Sequence, residues 1–309
     1  MSPHVYIYLL FNIPKIPQLV NNNAIIKVIE RIEFMKPHLI CLDLDGTLLT
    51  DDKTIGNYTK RVIQKLKEEG HYVMISTGRP YRATVPYYKE LKLNTPVVNF
   101  NGAFVHHPLD FDFKVLHKTL PQAVIKDIVE HIDKYDIKNI VAEVRDDIYF
   151  QYHDSVLMSE FFMGDPKIVT GDLRKSMSEE ATTVLINTTE ARIDYIRRAF
   201  DDVYAETVTH RRWGPNVAII EIIKKGISKA TGIEYVLNNL GLDKEYTIAF
   251  GDEDNDLQML QYVTHGVALN NAIDDLKSVA DDVTKYDNNN DGVGKYLNEY
   301  FNLNVNEGE

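Results

Sequence analysis

Apolar runs alternate with helical patterns in the first part of the chain. The predicted strands are residues 38–44, 71–77 and 95–105. The predicted helices between them are residues 59–70 and 81–91, where apolar side chains recur at helical spacing. The third run includes a predicted turn at Asn101 and Gly102. Strands that alternate with helices of this length predict right-handed crossovers and a parallel sheet.

The same alternation returns near the end of the chain, whereas the middle has a different pattern. The later elements are a helix at 229–241, a strand at 245–252, a helix at 255–263 and a strand at 265–269. Between them, residues 118–221 mix helices at 121–134 and 189–200 with the strand-like runs NIVAEV, IYFQYH, TTVLINT and NVAIIEI. Such a mixture is typical of an α+β insertion.

The pattern as a whole predicts an α/β fold with an insertion. We expect a three-layer, doubly wound parallel-sheet (Rossmann-like) core made of residues 35–117 and 222–303, and an inserted α+β cap domain at 118–221. Residues 1–34 are expected to be an N-terminal extension that is loosely ordered or precedes a start at Met35. Their apolar run VYIYLLF is too short to span a bilayer and lacks a basic start.

Composition narrows the function. The 309 residues carry a net charge of −12 and contain no block rich in Lys and Arg, which argues against a nucleic-acid binder. Cys41 is the only cysteine, so the sequence has neither an intramolecular disulfide nor a cysteine-rich zinc site, and a cytoplasmic location is expected. We expect no membrane partner and a monomer or homodimer.

Polar clusters follow three of the predicted strands. Asp43 and Asp45 follow the first strand, TGR at 77–79 follows the second, and GDEDND at 251–256 follows a late one. Because the carboxyl ends of parallel strands border one crevice, these segments should meet there. Several carboxylates in one crevice need a cation, and oxygen ligands suit Mg²⁺. One aspartate could then act as a nucleophile and the other as a general acid and base.

Four motifs in order make the pattern specific. DLDGT at 43–47, STGR at 76–79, GISKA at 226–230 and GDEDND at 251–256 resemble the signature of the haloacid dehalogenase (HAD) superfamily of phosphatases. Within it, the chain is similar to the Cof-like sugar and nucleotide phosphatases. The 34 residues from Asp43 to Thr77 leave no room for a cap there. The 152 residues from Thr77 to Lys229 hold the large cap of the Cof-like group.

The resemblance implies a role for each motif residue. Asp43 would be the nucleophile and a metal ligand. Asp45 would be the acid and base, with its backbone carbonyl on the metal, and Asp252 would complete the protein's share of the metal ligands. The implied phosphate-binding residues are Leu44, Thr77, Gly78, Lys229 and Asn255. Asp256 would orient these groups from behind. Lys224 and Lys225 compete for the role of Lys229, and the family spacing favours Lys229.

Substrate selection is expected to involve the cap. The stretch HRRW contributes Arg211, Arg212 and Trp213, which are either a solvated edge or a patch that meets a phosphate, a carboxylate or a ring. Asn101 could also touch the leaving group. The turn DNNNDG at 287–292 resembles the start of a calcium loop but has Asn298 where the bidentate Glu is needed, which favours a structural loop.

The function predicted from these motifs is a Mg²⁺-dependent phosphatase that works through an aspartyl-phosphate. The candidate substrates are sugar phosphates, nucleotide- or flavin-related phosphates and 5-amino-6-(5-phosphoribitylamino)uracil. The stretches HRRW and NFNGAFVHHP are similar to those of members linked to the last of these. Two alternatives stay open: a phosphotransferase with an acceptor other than water, and a non-catalytic protein that binds phosphorylated metabolites.

Overall fold

A computed structural model describes residues 36–161, 163–214, 217–306 and 308. The predicted N-terminal extension, residues 1–34, lies outside the described residues. The strands of the described part form a five-stranded, a six-stranded and a three-stranded sheet. In these ranges, no helix has both the length and the apolar character needed to cross a membrane.

The described residues form fourteen strands and eleven α-helices. The strands are β1 Leu39–Leu42, β2 Tyr72–Ile75, β3 Val97–Asn99, β4 Phe104–His106, β5 Leu116–His117, β6 Asn139–Val144, β7 Asp147–Phe150, β8 Ile168–Thr170, β9 Thr183–Asn187, β10 Val208–Arg212, β11 Ile219–Lys224, β12 Thr247–Gly251, β13 His265–Ala268 and β14 Asp282–Val283. The helices are α1 Asn57–Glu68, α2 Tyr81–Glu90, α3 Gln122–Glu130, α4 Ile132–Tyr135, α5 Ser155–Phe161, α6 Leu173–Ser176, α7 Ile193–Tyr204, α8 Lys229–Leu240, α9 Leu257–Tyr262, α10 Asp274–Val279 and α11 Gly292–Tyr300.

The five-stranded sheet is parallel throughout and lies between two layers of helices. Its strand order is β14-β13-β12-β1-β2. Every residue of the interior strand β1 is buried. Ile40 and Leu42 pack with apolar residues of α1 and α11, whereas Leu39 and Cys41 pack with those of α8, α9 and α10. Because successive side chains of a strand point to opposite faces, one apolar run supplies both layers. The predicted α/β fold is confirmed.

The run at 95–105 was predicted as a third strand of the parallel sheet, and the structure corrects this. Strand β3 turns back through the 3₁₀ helix Phe100–Gly102 into β4 and pairs with it antiparallel, and β5 adds a third strand. A single parallel bridge, Ser76 to Val98, links this hairpin to the end of β2. The expected turn at Asn101 and Gly102 is present and divides the run.

The six-stranded sheet contains the strands of the predicted insertion, in the order β10-β11-β9-β6-β7-β8. Its pairs are antiparallel except for β7 with β8. One face carries apolar side chains that pack on α3 and α7, for example Ile140 and Ile186. Strand β11 continues to Lys224, three residues past the predicted boundary at 221. The division into core and cap domains itself stays a prediction.

The turn at 287–292 connects distant parts of the parallel-sheet region. Asp291 Oδ1 accepts hydrogen bonds from the backbone and hydroxyl of Thr59 at the start of α1, at 3.1 and 2.6 Å. Asn288 donates to the Leu49 carbonyl at 2.9 Å, and Asn289 bonds Asp51. Two of these residues, Asn289 and Asp291, stand at positions where a calcium loop has its ligands, and their hydrogen bonds instead fix the segment that follows β1.

Candidate active site

Asp43 lies directly after β1 and is buried. Its N–H donates to the Phe250 carbonyl of β12 at 3.2 Å, which continues the parallel pairing by one residue. Gly46 then turns the chain with φ of +74°, and a Cβ there would lie 2.1 Å from an oxygen of Asp252. Only glycine permits this approach. The turn therefore brings the first and last motifs into contact.

Lys229 is fully buried between two carboxylates. Its Nζ donates to Asp43 Oδ1 at 2.6 Å and to Asp256 Oδ1 at 2.7 Å. Ser228 precedes it as the N-cap of α8 and accepts a hydrogen bond from the Thr231 N–H. Burial alone would lower the pKa of Lys229, but Asp256 and Asp43 outweigh this effect and raise the pKa above its ordinary value. Lys229 is therefore a permanent positive charge beside Asp43.

Three buried carboxylates form a cluster that could hold a metal ion. Oxygens of Asp43, Asp252 and Asp256 lie within 4.8 Å of one another. Thr47 donates its hydroxyl to Asp252 Oδ1 at 2.7 Å. Burial raises the pKa of Asp43 to about 7, against the effect of Lys229, and that of Asp252 to about 8. A bound cation would favour the ionised form of both, and an all-oxygen donor set suits a hard divalent ion.

Asp256 faces the lysine and the backbone. Its second oxygen accepts the N–H groups of Asp252 and Glu253 at 3.0 and 3.2 Å. These contacts hold the loop after β12 in place. The role predicted for Asp256, orienting the site from behind, stays a prediction.

Asp45 is not part of the carboxylate cluster and is held by two cations. Arg79 makes a two-pronged contact with it, with Nε and Nη2 each 2.6 Å from a carboxylate oxygen, and Lys53 Nζ lies at 2.7 Å. Burial would raise the pKa of Asp45, but these two cations outweigh it and lower the pKa to about 2. The sequence analysis assigned no role to Arg79, and it did not single out Lys53 because Lys53 lies in a loop without a motif.

A cavity of about 460 Å³ lies over these residues. At one end it is lined by Asp43, Asp45, Thr77, Gly78, Arg79 and Asn255. At the other end it is lined by residues of the six-stranded sheet, among them Glu143, Thr183, Leu185, Arg211 and Glu221, together with Trp213 just beyond β10. Leu44 is buried, with its carbonyl bonded to the Leu49 N–H at 2.8 Å. Asp43, Asp45, Thr77, Gly78 and Asn255 thus line one cavity, while Lys229 and the carboxylates of Asp252 and Asp256 lie close to Asp43.

Comparison with known proteins identifies the family of the chain. The family model for haloacid dehalogenase-like hydrolases matches residues 40–297. The chain belongs to this family. The resemblance inferred from the four motifs is confirmed, including its Cof-like character. This HAD protein is an enzyme of the phosphatase type.

Relatives of known name cover nearly the whole HAD region. The Bacillus subtilis (strain 168) protein 5-amino-6-(5-phospho-D-ribitylamino)uracil phosphatase YitU is 50% identical over 268 residues, which cover 87% of this chain and 99% of that protein. The pyridoxal phosphate phosphatase YbhA of Escherichia coli (strain K12) is 27% identical and covers 85% and 98%. A crystal structure of a haloacid dehalogenase-like hydrolase from Bacteroides thetaiotaomicron aligns with a TM-score of 0.75 at 26% identity, over 86% and 100% of the two chains.

Of the substrate-selecting residues predicted in this HAD chain, Arg212 is placed differently. Arg211 and Trp213 line the cavity, but Arg212 lies between them on a strand and points to the opposite face. There its guanidinium contacts Glu190 at 2.6 and 2.8 Å and the Val217 carbonyl at 3.1 Å. The sequence identified the stretch but not which alternate residues face the cavity.

Two buried glutamates at the cavity were missed by the sequence analysis. Glu143 is paired with Arg82 of α2, and Glu221 accepts both from Asn101 and from Trp213. Each glutamate is a single acid inside an apolar strand, in NIVAEV and in AIIEI. A charge inside a buried strand is costly without a partner. An isolated acid in an apolar run was therefore the sequence signal that could have identified these two residues.

Proposed function

We propose that the protein is a Mg²⁺-dependent phosphatase of small phosphorylated metabolites that works through an aspartyl-phosphate on Asp43. The observation that carries the proposal is the position of Asp43. It is buried, paired with Lys229, within reach of Asp252 and Asp256, and at the end of a cavity. Such a carboxylate can attack phosphorus while a fixed cation offsets the charge of the phosphoryl group.

The chain's own groups divide the work in this proposal. One oxygen of Asp43 is held by Lys229, which leaves the other to attack the phosphoryl group. Thr77, Gly78 and Asn255 surround the phosphoryl oxygens from the same end of the cavity. Asp43 and Asp252 would hold Mg²⁺ together with the Asp45 carbonyl, and the ion would supply charge stabilisation to the phosphoryl oxygens.

Asp45 is the proposed acid and base. In the described arrangement Arg79 and Lys53 keep it ionised, which suits the step in which it takes a proton from the hydrolytic water. To donate a proton to the leaving oxygen, the carboxyl must separate from Arg79 and keep the proton that it took from the hydrolytic water in the preceding turnover. Binding of an anionic substrate beside Arg79 supplies a competing partner for that guanidinium.

The proposed substrate is 5-amino-6-(5-phosphoribitylamino)uracil, and the far end of the cavity supports it. The volume of about 460 Å³ lies in the usual range for small-molecule sites. Glu143 and Glu221 balance the charges of Arg82 and Arg211 there, which favours a neutral leaving group. A uracil ring with amino substituents offers both donors and acceptors to these groups, and the exposed part of Trp213 can stack on it. The relative from Bacillus subtilis bears the name of this activity.

A substrate screen tests the proposal. Phosphate release is measured over about a hundred phosphorylated metabolites with Mg²⁺ and with EDTA. We expect the phosphoribitylamino-uracil to give the highest kcat/KM and EDTA to abolish turnover. Turnover that EDTA leaves unchanged would contradict the metal assignment. Consumption of substrate with little phosphate release, in the presence of sugar or alcohol acceptors, would indicate a phosphotransferase instead. The expected cytoplasmic location and the oligomeric state stay predictions.

A further inference from the structure

Three amide or carboxylate side chains form a continuous line between the two ends of the cavity. Glu221 lies on β11 of the six-stranded sheet, Asn101 lies in the turn after β3, and Asn255 lies in the loop after β12. Asn101 Nδ2 is 3.2 Å from each oxygen of Glu221. Asn255 Nδ2 donates to Asn101 Oδ1 at 2.9 Å. The line therefore joins a side chain of the inserted sheet to a residue beside Asp43.

The chemistry of Glu221 sets the direction of every bond in the line. Its described partners are donors: the Asn101 amide, the Trp213 side chain and, at 3.7 Å, the Arg211 guanidinium. A carboxylate has no proton to give, so the amide nitrogen of Asn101 must face it. The amide oxygen of Asn101 must then face Asn255, and only an N–H of Asn255 can meet that oxygen.

This arrangement leaves the second N–H of Asn255 available to donate to a ligand. A side-chain amide has two N–H bonds in one plane, and the first is used by Asn101. Asn255 lines the cavity with Asp43, Thr77 and Gly78, where the proposed function puts the phosphoryl group. With its amide reversed, Asn255 would present an oxygen to the phosphoryl group and repel it.

The turn that carries Asn101 is built to hold this amide in place. Phe100, Asn101 and Gly102 all have positive φ, of +50°, +53° and +101°. This is a sparsely populated region for the first two, and it persists only when the surroundings enforce it. The Asn101 N–H donates to the Thr77 carbonyl at 3.1 Å, and the amide lies so close to Gly78 that a Cβ there would be 3.2 Å away.

We propose that Glu221 and Asn101 are positioning residues, which act through Asn255 to aim an N–H at the phosphoryl group. Glu221 thus contributes to phosphate binding although it lies on the inserted sheet. The inference rests on the proposed function only in assigning Asn255 to the phosphoryl group.

A comparison of single and double variants tests whether Glu221 acts through Asn255. The affinity for inorganic phosphate is measured by calorimetry with the full chain in Mg²⁺, for wild type, Glu221→Gln, Asn255→Ala and the double variant. Each single variant should bind phosphate about 3- to 10-fold more weakly, the range expected for one lost or misdirected hydrogen bond. The double variant should match Asn255→Ala alone, because Glu221 acts through Asn255.

Three results would overturn the inference. They are an unchanged phosphate affinity in Glu221→Gln, effects of the two changes that multiply in the double variant, and no phosphate binding by the wild type. Arg212→Gln is the matched control, since Arg212 lies on the same sheet but on its other face. Asn101→Ser shortens the middle link without adding charge and replaces Glu221→Gln in the comparison if that variant does not fold.

Hydrolysis of p-nitrophenyl phosphate is measured alongside. If the wild type does not hydrolyse this ester, the proposed function is contradicted. The phosphate affinities of the variants test the positioning role separately. A Glu221 that only contacted the leaving group would change KM for the large substrate and leave phosphate affinity unchanged.

Discussion

The two ends of the cavity are built in opposite ways. At the parallel sheet, the site residues follow the strands: Asp43, Thr77 and Asp252 each lie within two residues of a strand end. At the six-stranded sheet, Glu143, Thr183 and Glu221 lie inside strands and reach the cavity through the alternation of faces. The first arrangement produces short contiguous motifs, whereas the second produces single polar residues scattered through apolar runs. The site residues at the parallel-sheet end can therefore be found from sequence motifs. Those at the other end can be found only when it is known which residues of each strand face the cavity.

The largest expected effect is at the parallel-sheet end. Asp43→Asn removes the nucleophile and should lower kcat by about 10³-fold or more for every substrate, because no second path to the covalent intermediate exists in the proposal. Phosphate release from p-nitrophenyl phosphate and from the large substrate measures it. A variant that keeps more than a few per cent of wild-type turnover would show that the mechanism is not covalent. Thermal unfolding of the same sample serves as the folding control.

Lys229→Met should affect activity and stability together. It leaves Asp43 and Asp256 buried without their cation, and breaking a buried ion pair costs about 3–5 kcal/mol. We expect a lower midpoint in urea unfolding and a loss of turnover at saturating substrate. Lys225→Met is the matched control, because Lys225 is exposed and pairs with Glu206. Equal effects of the two changes would refute the assignment of Lys229.

At the six-stranded sheet, a substitution of Trp213 should discriminate between substrates. Trp213→Leu should lower kcat/KM for the phosphoribitylamino-uracil by about 10-fold, the value of one lost stacking contact on a ring. The value for p-nitrophenyl phosphate should change less than 2-fold, since that small ester ends short of the sheet. Arg212→Gln is the control from the neighbouring position. An equal loss of kcat/KM for both substrates would contradict the proposed difference between the two ends of the cavity.

The smallest effect concerns pH. The pKa values of Asp43 and Asp252, about 7 and about 8, lie above those of the unfolded chain, so the folded metal-free protein binds more protons. Its stability should therefore be highest below about pH 4 for these two groups and fall as the pH rises towards 8. In EDTA, we expect the Tm to drop by a few degrees between pH 5.5 and 8, and Mg²⁺ to reverse the drop.

Asp252→Asn is the control for the pH effect. It removes one of the two titrating carboxyls and the repulsion that this carboxyl exerts on the other. The dependence of the Tm on pH in EDTA should therefore become weaker. A Tm in EDTA that rises steadily from pH 5.5 to 8 would contradict the raised pKa values.

The comparison also explains what could be predicted from the sequence. The parallel sheet and the meeting of three polar clusters followed from apolar runs with polar ends, because strand direction alone fixes where those ends lie. Lys229 opens a helix, and its place in the site was expected only from the resemblance to the HAD family. The third strand was predicted in the wrong sheet because the turn at Asn101 reverses the direction of the chain. Hydrophobicity alone does not show which sheet a strand joins. The orientation of Arg212 could not be predicted because the phase of β10 depends on its pairing with β11. Lys53 was missed because its contact with Asp45 depends on the path of a loop.

The pairing of β1 has a consequence for the chain while it is being synthesised. In the finished sheet β1 lies between β2 and β12, and its Asp43 pairs with a lysine 186 residues later. Until residue 251 has been synthesised, one edge of this apolar strand has no neighbour, and until residue 229 has been synthesised, the carboxylate beside it lacks its lysine partner. An open apolar edge is a template for association with other chains. Nascent chains that stop within the insertion should therefore depend on chaperones, and those released early should aggregate.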